Sequence, residues 1–472
     1  MPVQSADKRA YALDALRGFA MLTMVLSGVI PFGVLPRWMY HAQVPPPDHV
    51  FNPNLPGITW VDLVFPFFLF AMGAAIPLAL SRRLEKGDTC WTVIKQVLLR
   101  GVLLMGFAVY IQHVRPYTMN PQPTTTTWFL ALLGFALLFP VLTRLPQTWK
   151  PWVRWAVKLA GWGGVIAFMW LIRYPDGTGF SLYRSDIIIR VLAVVAVFGS
   201  LVWLATQRNN LLRLGVMGAV VALRLSSGVE GSWTAWWDAS PLPWAFSWNF
   251  LKYLLITIPG TIAGDMVLQW MKSPEKKKDK PWTPVRLTAI AVLMLGLIAV
   301  VVVGLYLRLV WQTAAAGAVT LAVSWLLLRK PNNSTEKLLK DLFTWGVYWL
   351  ALGLLLEPYE GGIKKDSATI SYFFVTSGLA VFMLIGFTVI INLLRKRWVL
   401  GLLIDNGQNP MIAYAGEGGN FIGAVFALTG LATWLTGILN TPWLGVIYGA
   451  LVTLLLALAV SAFTRLKVFW RT

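Results

Sequence analysis

The sequence has few of the residues from which metal centres and nucleophilic sites are commonly built. Its 472 residues include one cysteine, Cys90, and three histidines. A single cysteine excludes an intramolecular disulfide and any metal site that needs several cysteines. Metal-ligand spacings, a Walker loop, a GxGxxG turn after a strand and a GxSxG nucleophile elbow are also lacking. We therefore expect no bound metal, and chemistry that depends on a small number of polar residues.

Charged residues are scarce too, at 13% of the chain, against about 25% in an ordinary soluble domain. Hydrophobic residues make up 57%, and the mean hydropathy is +0.65. Apolar segments of about 20 residues, long enough to cross a bilayer, recur from Leu16 to the C-terminus. We predict an all-α fold, a polytopic transmembrane helical bundle of about 11–14 spans, with residues 1–472 forming one integral membrane domain.

About fourteen apolar segments are candidate spans. They lie near residues 16–35, 59–80, 91–111, 128–143, 152–172, 187–205, 210–225, 248–270, 287–307, 313–328, 342–356, 370–394, 409–433 and 441–464. The segment 210–225 fits least well, because Arg213 and Arg224 lie inside it and charges are costly within a bilayer.

The net charge of +20 does not indicate a nucleic-acid partner, because the basic residues form short clusters between apolar segments. These clusters alternate with loops that are poor in Lys and Arg, as the positive-inside rule requires when both termini are cytoplasmic. The charged segment 272–286 is then a cytoplasmic connector. The three histidines, His41, His49 and His113, fall on or near the extracytoplasmic side, so an acid–base group there would face outward.

The stretch YHAQVPPPDHVFNPNLPGITWVDLVFPFFLF, residues 40–70, is the densest polar interruption of the apolar chain. It begins at Tyr40, which belongs to an aromatic group suited to the membrane interface. It then leads into a span that carries Asp62. Thr59 is a plausible N-cap, so Asp62 could simply complement the helix dipole, but ionisable residues inside spans are also functional candidates. His41 is favoured over His49 as a base, because a nearby carboxylate can orient its imidazole.

Several further charged residues lie in or at the ends of spans. Asp14 and Arg17 are three residues apart on one helix face, and Arg17 either neutralises a phosphate of a cytosolic ligand or orients the first span by snorkelling. Arg100, Arg190 and Asp265 lie within the third, sixth and eighth candidate spans and require partners there.

The segment DNGQNPMIAYAGEGG, residues 405–419, is a second candidate site. It combines Asn409, Tyr414 and Glu417 in a glycine-rich break of an apolar segment. Such a break is tolerated at membrane depth only where protein or water satisfies the freed backbone groups.

Taken in order, these motifs resemble the heparan-alpha-glucosaminide N-acetyltransferase family and its bacterial relatives. RAYALDALRGFAM, YHAQ and GITWVDLVFPFFLFAMGAAIPLAL resemble the start of the family, and YRSDIIIRVLAVVAVFGSLVWL its arginine-bearing helix. IPGTIAGDMV at 258–267, KKDSATISYFFVTSGLA at 364–380 and NGQNPMIAY at 406–414 extend the likeness almost to the C-terminus. The loop between YHAQ and GITWVD is longer than in the family, and the family's asparagine in the first span has no match at 27–31.

The resemblance implies transfer of an acetyl group from cytosolic acetyl-CoA to an extracytoplasmic amino sugar of the glucosamine type, in a bacterial inner membrane. The family's catalytic His-Ala dipeptide matches His41-Ala42. His41 would be the base or a transient acetyl carrier, oriented by Asp62, and Asn409 would stabilise the oxyanion. We also expect the CoA donor to contact Arg17, Arg100 and Arg190. The acceptor is expected to contact Tyr40, Tyr414 and Glu417.

Two other functions stay open at this stage. A sugar or glycan transporter would use the intramembrane charges to line its pathway. An O-acetyltransferase of envelope polysaccharide would use the same site with a different acceptor. Membrane lipid is an expected partner, and the oligomeric state, including a homodimer, is not determined by the sequence.

Overall fold

The computed structural model describes residues 9–33, 35–207, 209–274, 281–417 and 419–471. Residues 275–280 of the basic connector predicted at 272–286 therefore lie outside the described residues. Within them the chain is helical, with two isolated β-bridges and no strand. The helices are α1 Tyr11–Val29, α2 Trp60–Glu85, α3 Cys90–Val114, α4 Pro116–Met119, α5 Thr125–Leu142, α6 Pro151–Leu171, α7 Ile187–Ala205, α8 Asn210–Ser227, α9 Leu254–Lys272, α10 Pro284–Tyr306, α11 Val310–Leu328, α12 Ser334–Leu356, α13 Ile370–Thr388, α14 Gly401–Gln408, α15 Pro410–Ala415, α16 Ile422–Leu428, α17 Leu431–Ile438 and α18 Pro442–Arg465.

Twelve helices of the described residues are long and apolar enough to cross a membrane. The predicted all-α polytopic bundle is confirmed, with a span count inside the expected range. The apolar segment predicted near 409–433 is divided among the short helices α15 to α17. The break has a physical basis, because Pro410 and a group of glycines between 416 and 430 interrupt the helical pattern.

The centre of the bundle is α13, in which all 19 residues are buried. Close packing around it uses glycines where two backbones approach. A Cβ at Gly18 would overlap the Leu403 carbonyl oxygen, and one at Gly407 would overlap that of Asp14, so α1 and α14 pack backbone against backbone. Gly73 and Gly260 allow the same approach between α2 and α9.

The arginines that made the 210–225 segment doubtful lie in α8, and both have partners outside this helix. Arg213 is fully buried and forms an ion pair with Asp265 of α9, with 2.6 Å between Nη1 and Oδ2. The guanidinium of Arg224 donates to the Ala368 carbonyl oxygen and lies 5.3 Å from the Phe373 ring centroid. Pairing of this kind is how charges are accommodated inside helical bundles.

Successive spans reverse direction, which assigns each loop to one of two ends. We call the end that contains the loop between α1 and α2 the His41 end. The opposite end, where α1 begins, is called the Arg17 end.

Candidate active site

His41 and Asp62 are in direct contact, as the sequence predicts. The His41 Nδ1 atom lies 2.8 Å from Asp62 Oδ1. The His41 side chain is 40% exposed, whereas that of Asp62 is 0% exposed. A fully buried carboxylate thus fixes an imidazole that is itself partly exposed at the His41 end.

Asp62 owes its position to the first turn of α2. Thr59 is the N-cap, as predicted, and its backbone N–H donates to Asp62 Oδ2 at 2.8 Å. The backbone N–H of Ala42 donates to the same oxygen at 3.2 Å. The Tyr372 hydroxyl of α13 donates to the Asp62 carbonyl oxygen at 2.7 Å. Asp62 therefore has two roles, because its two carboxylate oxygens have different partners. Oδ2 caps α2, and Oδ1 orients His41.

Lys365, which the sequence reasoning did not single out as a site residue, completes this cluster. Its Nζ atom lies 2.9 Å from His41 Nδ1, 3.3 Å from His41 Nε2 and 4.0 Å from Asp62 Oδ1. A signal was available, since Lys364 and Lys365 stand before a span in a loop that the charge pattern assigns to the side with few basic residues. We call His41, Asp62 and Lys365 the open cluster.

The loop before α2 is shaped by aromatic contacts. The hydroxyl of Tyr40 donates to the Pro31 carbonyl oxygen at 2.7 Å, and its ring packs edge-on against His49, with centroids 4.6 Å apart. His49 Nε2 accepts from the Gly33 backbone N–H at 2.9 Å. His49 thus supports the loop, which agrees with the preference for His41. The third histidine, His113, is buried against the Tyr174 hydroxyl and the Ser181 carbonyl.

A second cluster of polar residues lies at the same end, between α3, α7 and α15. Arg115 and Asp186 form an ion pair with 2.9 Å between Nη2 and Oδ2. The Tyr414 hydroxyl donates to Asp186 Oδ1 at 2.8 Å and accepts from Arg115 at 3.3 Å. Glu417 lies nearby, and its Oε2 atom is buried without a hydrogen-bond partner among the described residues. We call these four residues the closed cluster.

The electrostatics of the closed cluster favour the ionised form of Arg115, whereas burial raises the pKa of Glu417 to about 7. Burial lowers the pKa of Arg115, but the negative or polar groups of Tyr414, Asp186 and Glu417 raise it by more, so the pKa lies above its usual value. The predicted acceptor residues Tyr414 and Glu417 therefore belong to a buried ionic network, and the structure does not bring them into contact with His41.

Asn409 lies at the break between α14 and α15, where it is tied to the C-terminal segment. Its Nδ2 donates to the Val468 carbonyl oxygen at 2.7 Å, and its Oδ1 accepts from the Trp470 backbone N–H at 3.3 Å. Both polar atoms of the side chain are thus engaged away from the open cluster. Its role as an oxyanion donor stays a prediction.

The arginines expected to bind the donor fall at two different ends. Arg17 donates to the Gly407 carbonyl oxygen at 3.0 Å and lies 3.8 Å from Asp14, in the second turn of α1. Arg100 is exposed and close enough to Arg17 and Arg471 for their charges to repel. Arg190, in contrast, is one turn beyond Asp186, and its Nη1 donates to the Pro243 carbonyl oxygen at 2.7 Å. It therefore lies at the His41 end.

An apolar cavity lies between the two ends. It encloses about 50 Å³ between α1, α2, α3, α7 and α15. Three methionines, Met21, Met24 and Met411, line it together with phenylalanine, aliphatic side chains and the Tyr414 ring. Methionine is flexible and adapts its shape, so this cavity can widen by side-chain movement alone.

Comparison with known proteins gives one matching family and two similar proteins. A family described as "Domain of unknown function (DUF5009)" matches residues 9–267, more than half of the chain, and this range includes His41 and Asp62. The chain is similar to heparan-alpha-glucosaminide N-acetyltransferase of Mus musculus, with 29% identity over 199 residues, which is 37% of this chain and 28% of the relative. The Homo sapiens protein of the same name is 30% identical over 114 residues, which is 24% of this chain and 15% of the relative.

The chain thus spans less than a third of the length of either curated relative. The comparisons confirm the resemblance inferred from the motifs, as a similarity over part of the chain.

Proposed function

The chain belongs to the DUF5009 family, and from its similarity to two N-acetyltransferases together with its open cluster we propose that it is a transmembrane acyltransferase. The proposed reaction moves an acetyl group from acetyl-CoA to an amino sugar of the glucosamine type. The names of the two similar proteins describe an N-acetyltransferase that acts on such a sugar. The observation that carries the proposal is the contact between the exposed imidazole of His41 and the fully buried carboxylate of Asp62.

Asp62 selects which nitrogen of His41 can act as a base. With the Nδ1 proton donated to Asp62 Oδ1, the lone pair of the neutral ring is on Nε2. The carboxylate also stabilises the imidazolium that forms when Nε2 takes up a proton. This is the division of labour between acid and histidine in acyl-transfer sites.

The direct route needs one tetrahedral intermediate. The acceptor amine attacks the thioester carbonyl carbon while its proton passes to His41 Nε2. The carbon–sulfur bond then breaks, and the CoA thiolate takes the proton from the imidazolium. The Lys365 ammonium lies 3.3 Å from Nε2, so it is placed to stabilise the oxyanion that develops beside this atom.

A two-step route uses the same residues. In it, Nε2 attacks the thioester carbonyl carbon, the CoA thiolate leaves, and the acceptor amine then displaces His41 from the acetyl group and loses its proton to water. The two routes differ in one observable, an acetylated protein that forms in the absence of acceptor.

The donor is proposed to enter from the Arg17 end, which we assign to the cytoplasm from the distribution of basic residues. Arg17, Arg100 and Arg471 lie close together there and suit the phosphates of CoA. The apolar cavity lies between this group and the open cluster, on the path that the pantetheine arm would follow after the methionines move.

The test is acetyl transfer by the purified protein in nanodiscs, with radiolabelled acetyl-CoA and glucosamine. We expect activity in the wild type and a loss of about 10³-fold or more in His41→Ala. The matched control is His49→Gln, in the same loop, which keeps an acceptor for the Gly33 N–H and should retain activity. Label on the protein without acceptor would establish the two-step route.

Three results would contradict the proposal. One is the absence of acetyl transfer to any amino sugar, and a second is full activity of His41→Ala. The third is glucosamine accumulation by proteoliposomes without acetyl-CoA, which would identify a transporter. Product sensitive to mild alkali would instead indicate an ester, and hence an O-acetyltransferase.

A further inference from the structure

A basic pocket lies at the Arg17 end, beneath the turn that joins α5 to α6. It encloses about 450 Å³, within the range of roughly 300–1,000 Å³ found for small-molecule sites. Its lining includes four basic residues and no acidic one: Arg144, Arg154, Lys158 and Arg471. This composition predicts an anionic ligand.

The positive charge of the pocket is not neutralised by neighbouring carboxylates. Among the described residues, none of its four basic side chains lies within ion-pair distance of an Asp or Glu side chain. Burial, followed by repulsion from Arg144 and Arg17, lowers the pKa of Arg471 despite a weaker opposing effect of Asp14. A bound anion would relieve this repulsion.

Two buried polar atoms of the lining are without a hydrogen-bond partner in the described part of the chain. They are the Thr143 hydroxyl and Nε of Arg154. Lys158, in contrast, donates to the carbonyl oxygens of Val141 and Thr143, at 2.6 and 2.9 Å. Unpaired buried donors are destabilising, and a phosphate oxygen can accept from a hydroxyl and from a guanidinium N–H alike.

The pocket opens beside an exposed apolar stripe of α6. In this helix only Gly161 and Phe168 are buried. The exposed residues follow one face at spacings of three and four: Trp152, Trp155, Leu159, Trp162, Ile166 and Trp170. Trp155 belongs to both the stripe and the pocket lining. Tryptophan beside cationic residues is typical of the membrane interface, where lipid phosphates lie.

We propose that the basic pocket binds the phosphate group of an anionic phospholipid, whose acyl chains lie along the exposed stripe of α6. A soluble phosphate ester would satisfy the same guanidinium groups but would leave the stripe unused. The pocket shares Arg471 with the arginine group proposed for CoA, but it is separate from the open cluster and the lipid assignment does not depend on acyl transfer.

The experiment compares retention of phosphatidylglycerol and phosphatidylcholine by native mass spectrometry of the full chain after delipidation. The variant is Arg144→Gln/Arg154→Gln, which leaves Lys158 and Arg471 in place. The matched control, Arg82→Gln/Lys86→Gln, removes two exposed basic residues from the same end. We expect about a 10- to 30-fold loss of phosphatidylglycerol affinity in the variant and no comparable change in the control.

A second variant, Arg144→Lys/Arg154→Lys, keeps the charge and should keep most of the affinity, which separates binding from misfolding. A second arm titrates inorganic phosphate and adenosine 3′,5′-bisphosphate into protein held in phosphatidylcholine nanodiscs. Binding of these compounds that depends on the two arginines, without any phosphatidylglycerol preference, would overturn the lipid assignment. Equal retention of both lipids by wild type and variant, with no binding of soluble phosphate, would overturn the site.

Discussion

The open and closed clusters lie at the same end of the bundle and contain similar residue types, yet they differ in access. Asp62 and Asp186 are both buried carboxylates beside a basic partner. In the open cluster the partner, His41, is 40% exposed, so one ring edge can meet a substrate. In the closed cluster each group that Asp186 holds is itself packed against others.

The difference separates two uses of a buried acid. A carboxylate that orients an exposed base contributes to chemistry, because the base can gain and lose a proton. A carboxylate that joins a half-buried guanidinium and a buried hydroxyl contributes to the way helices assemble. Four substitutions test this distinction, two in each cluster.

Asp62→Asn should have the largest effect. The amide keeps an acceptor for the Thr59 N–H, so α2 should fold, but it cannot stabilise an imidazolium. We expect kcat for acetyl transfer to fall by about 10²–10⁴-fold, with little change in thermal stability. An unfolded variant, or one with near-normal kcat, would remove the basis for the comparison.

Arg115→Met should act mainly on stability. It leaves Asp186 buried and without its ionic partner, which costs about 3–5 kcal/mol for a fully buried pair. Since Arg115 is 28% exposed, we expect the lower end, about 3 kcal/mol. Thermal unfolding in detergent measures the loss. The control is Arg184→Met, which breaks a more exposed pair with Asp176 and should cost clearly less stability.

Lys365→Met tests the residue that the sequence reasoning missed. Removal of the ammonium should lower kcat by about 10²-fold through loss of oxyanion stabilisation, with KM for acetyl-CoA nearly unchanged. Lys364→Met, the neighbouring lysine, is the matched control. A rise in KM without a fall in kcat would mean that Lys365 binds substrate and takes no part in the transition state.

Local sequence signals were sufficient for two of the three residues of the open cluster. Thr59 and Asp62 have the spacing of a helix cap, and His41 stands near them in the chain, so their contact could be predicted. Lys365 comes from a loop more than 300 residues away, and only the packing of α13 against α2 brings it to His41. No periodicity in the sequence determines that contact.

The other site predictions were limited in the same way, because local sequence patterns do not determine contacts between distant parts of the chain. Composition and hydropathy determined the all-α membrane bundle, because burial in lipid constrains every span in the same way. Arg190 and Asn409 were assigned to the site from sequence motifs. A motif does not specify how deep in the bundle a residue lies. Arg190 lies at the His41 end, whereas Asn409 is held by the C-terminal segment, which no local pattern connects to it.

Tyr414→Phe should have the smallest effect and is the sharpest test of the comparison. The substitution removes the hydroxyl that bridges Arg115 and Asp186, at a cost of about 1 kcal/mol, and retains the ring that lines the apolar cavity. If the closed cluster is structural, thermal stability falls slightly and kcat stays within about twofold of wild type. The acceptor-binding role predicted from the sequence requires instead a clear rise in KM for the amino sugar. A fall in kcat of more than about tenfold would join the two clusters into one site, because a residue with no contact to His41 would then be acting on the reaction.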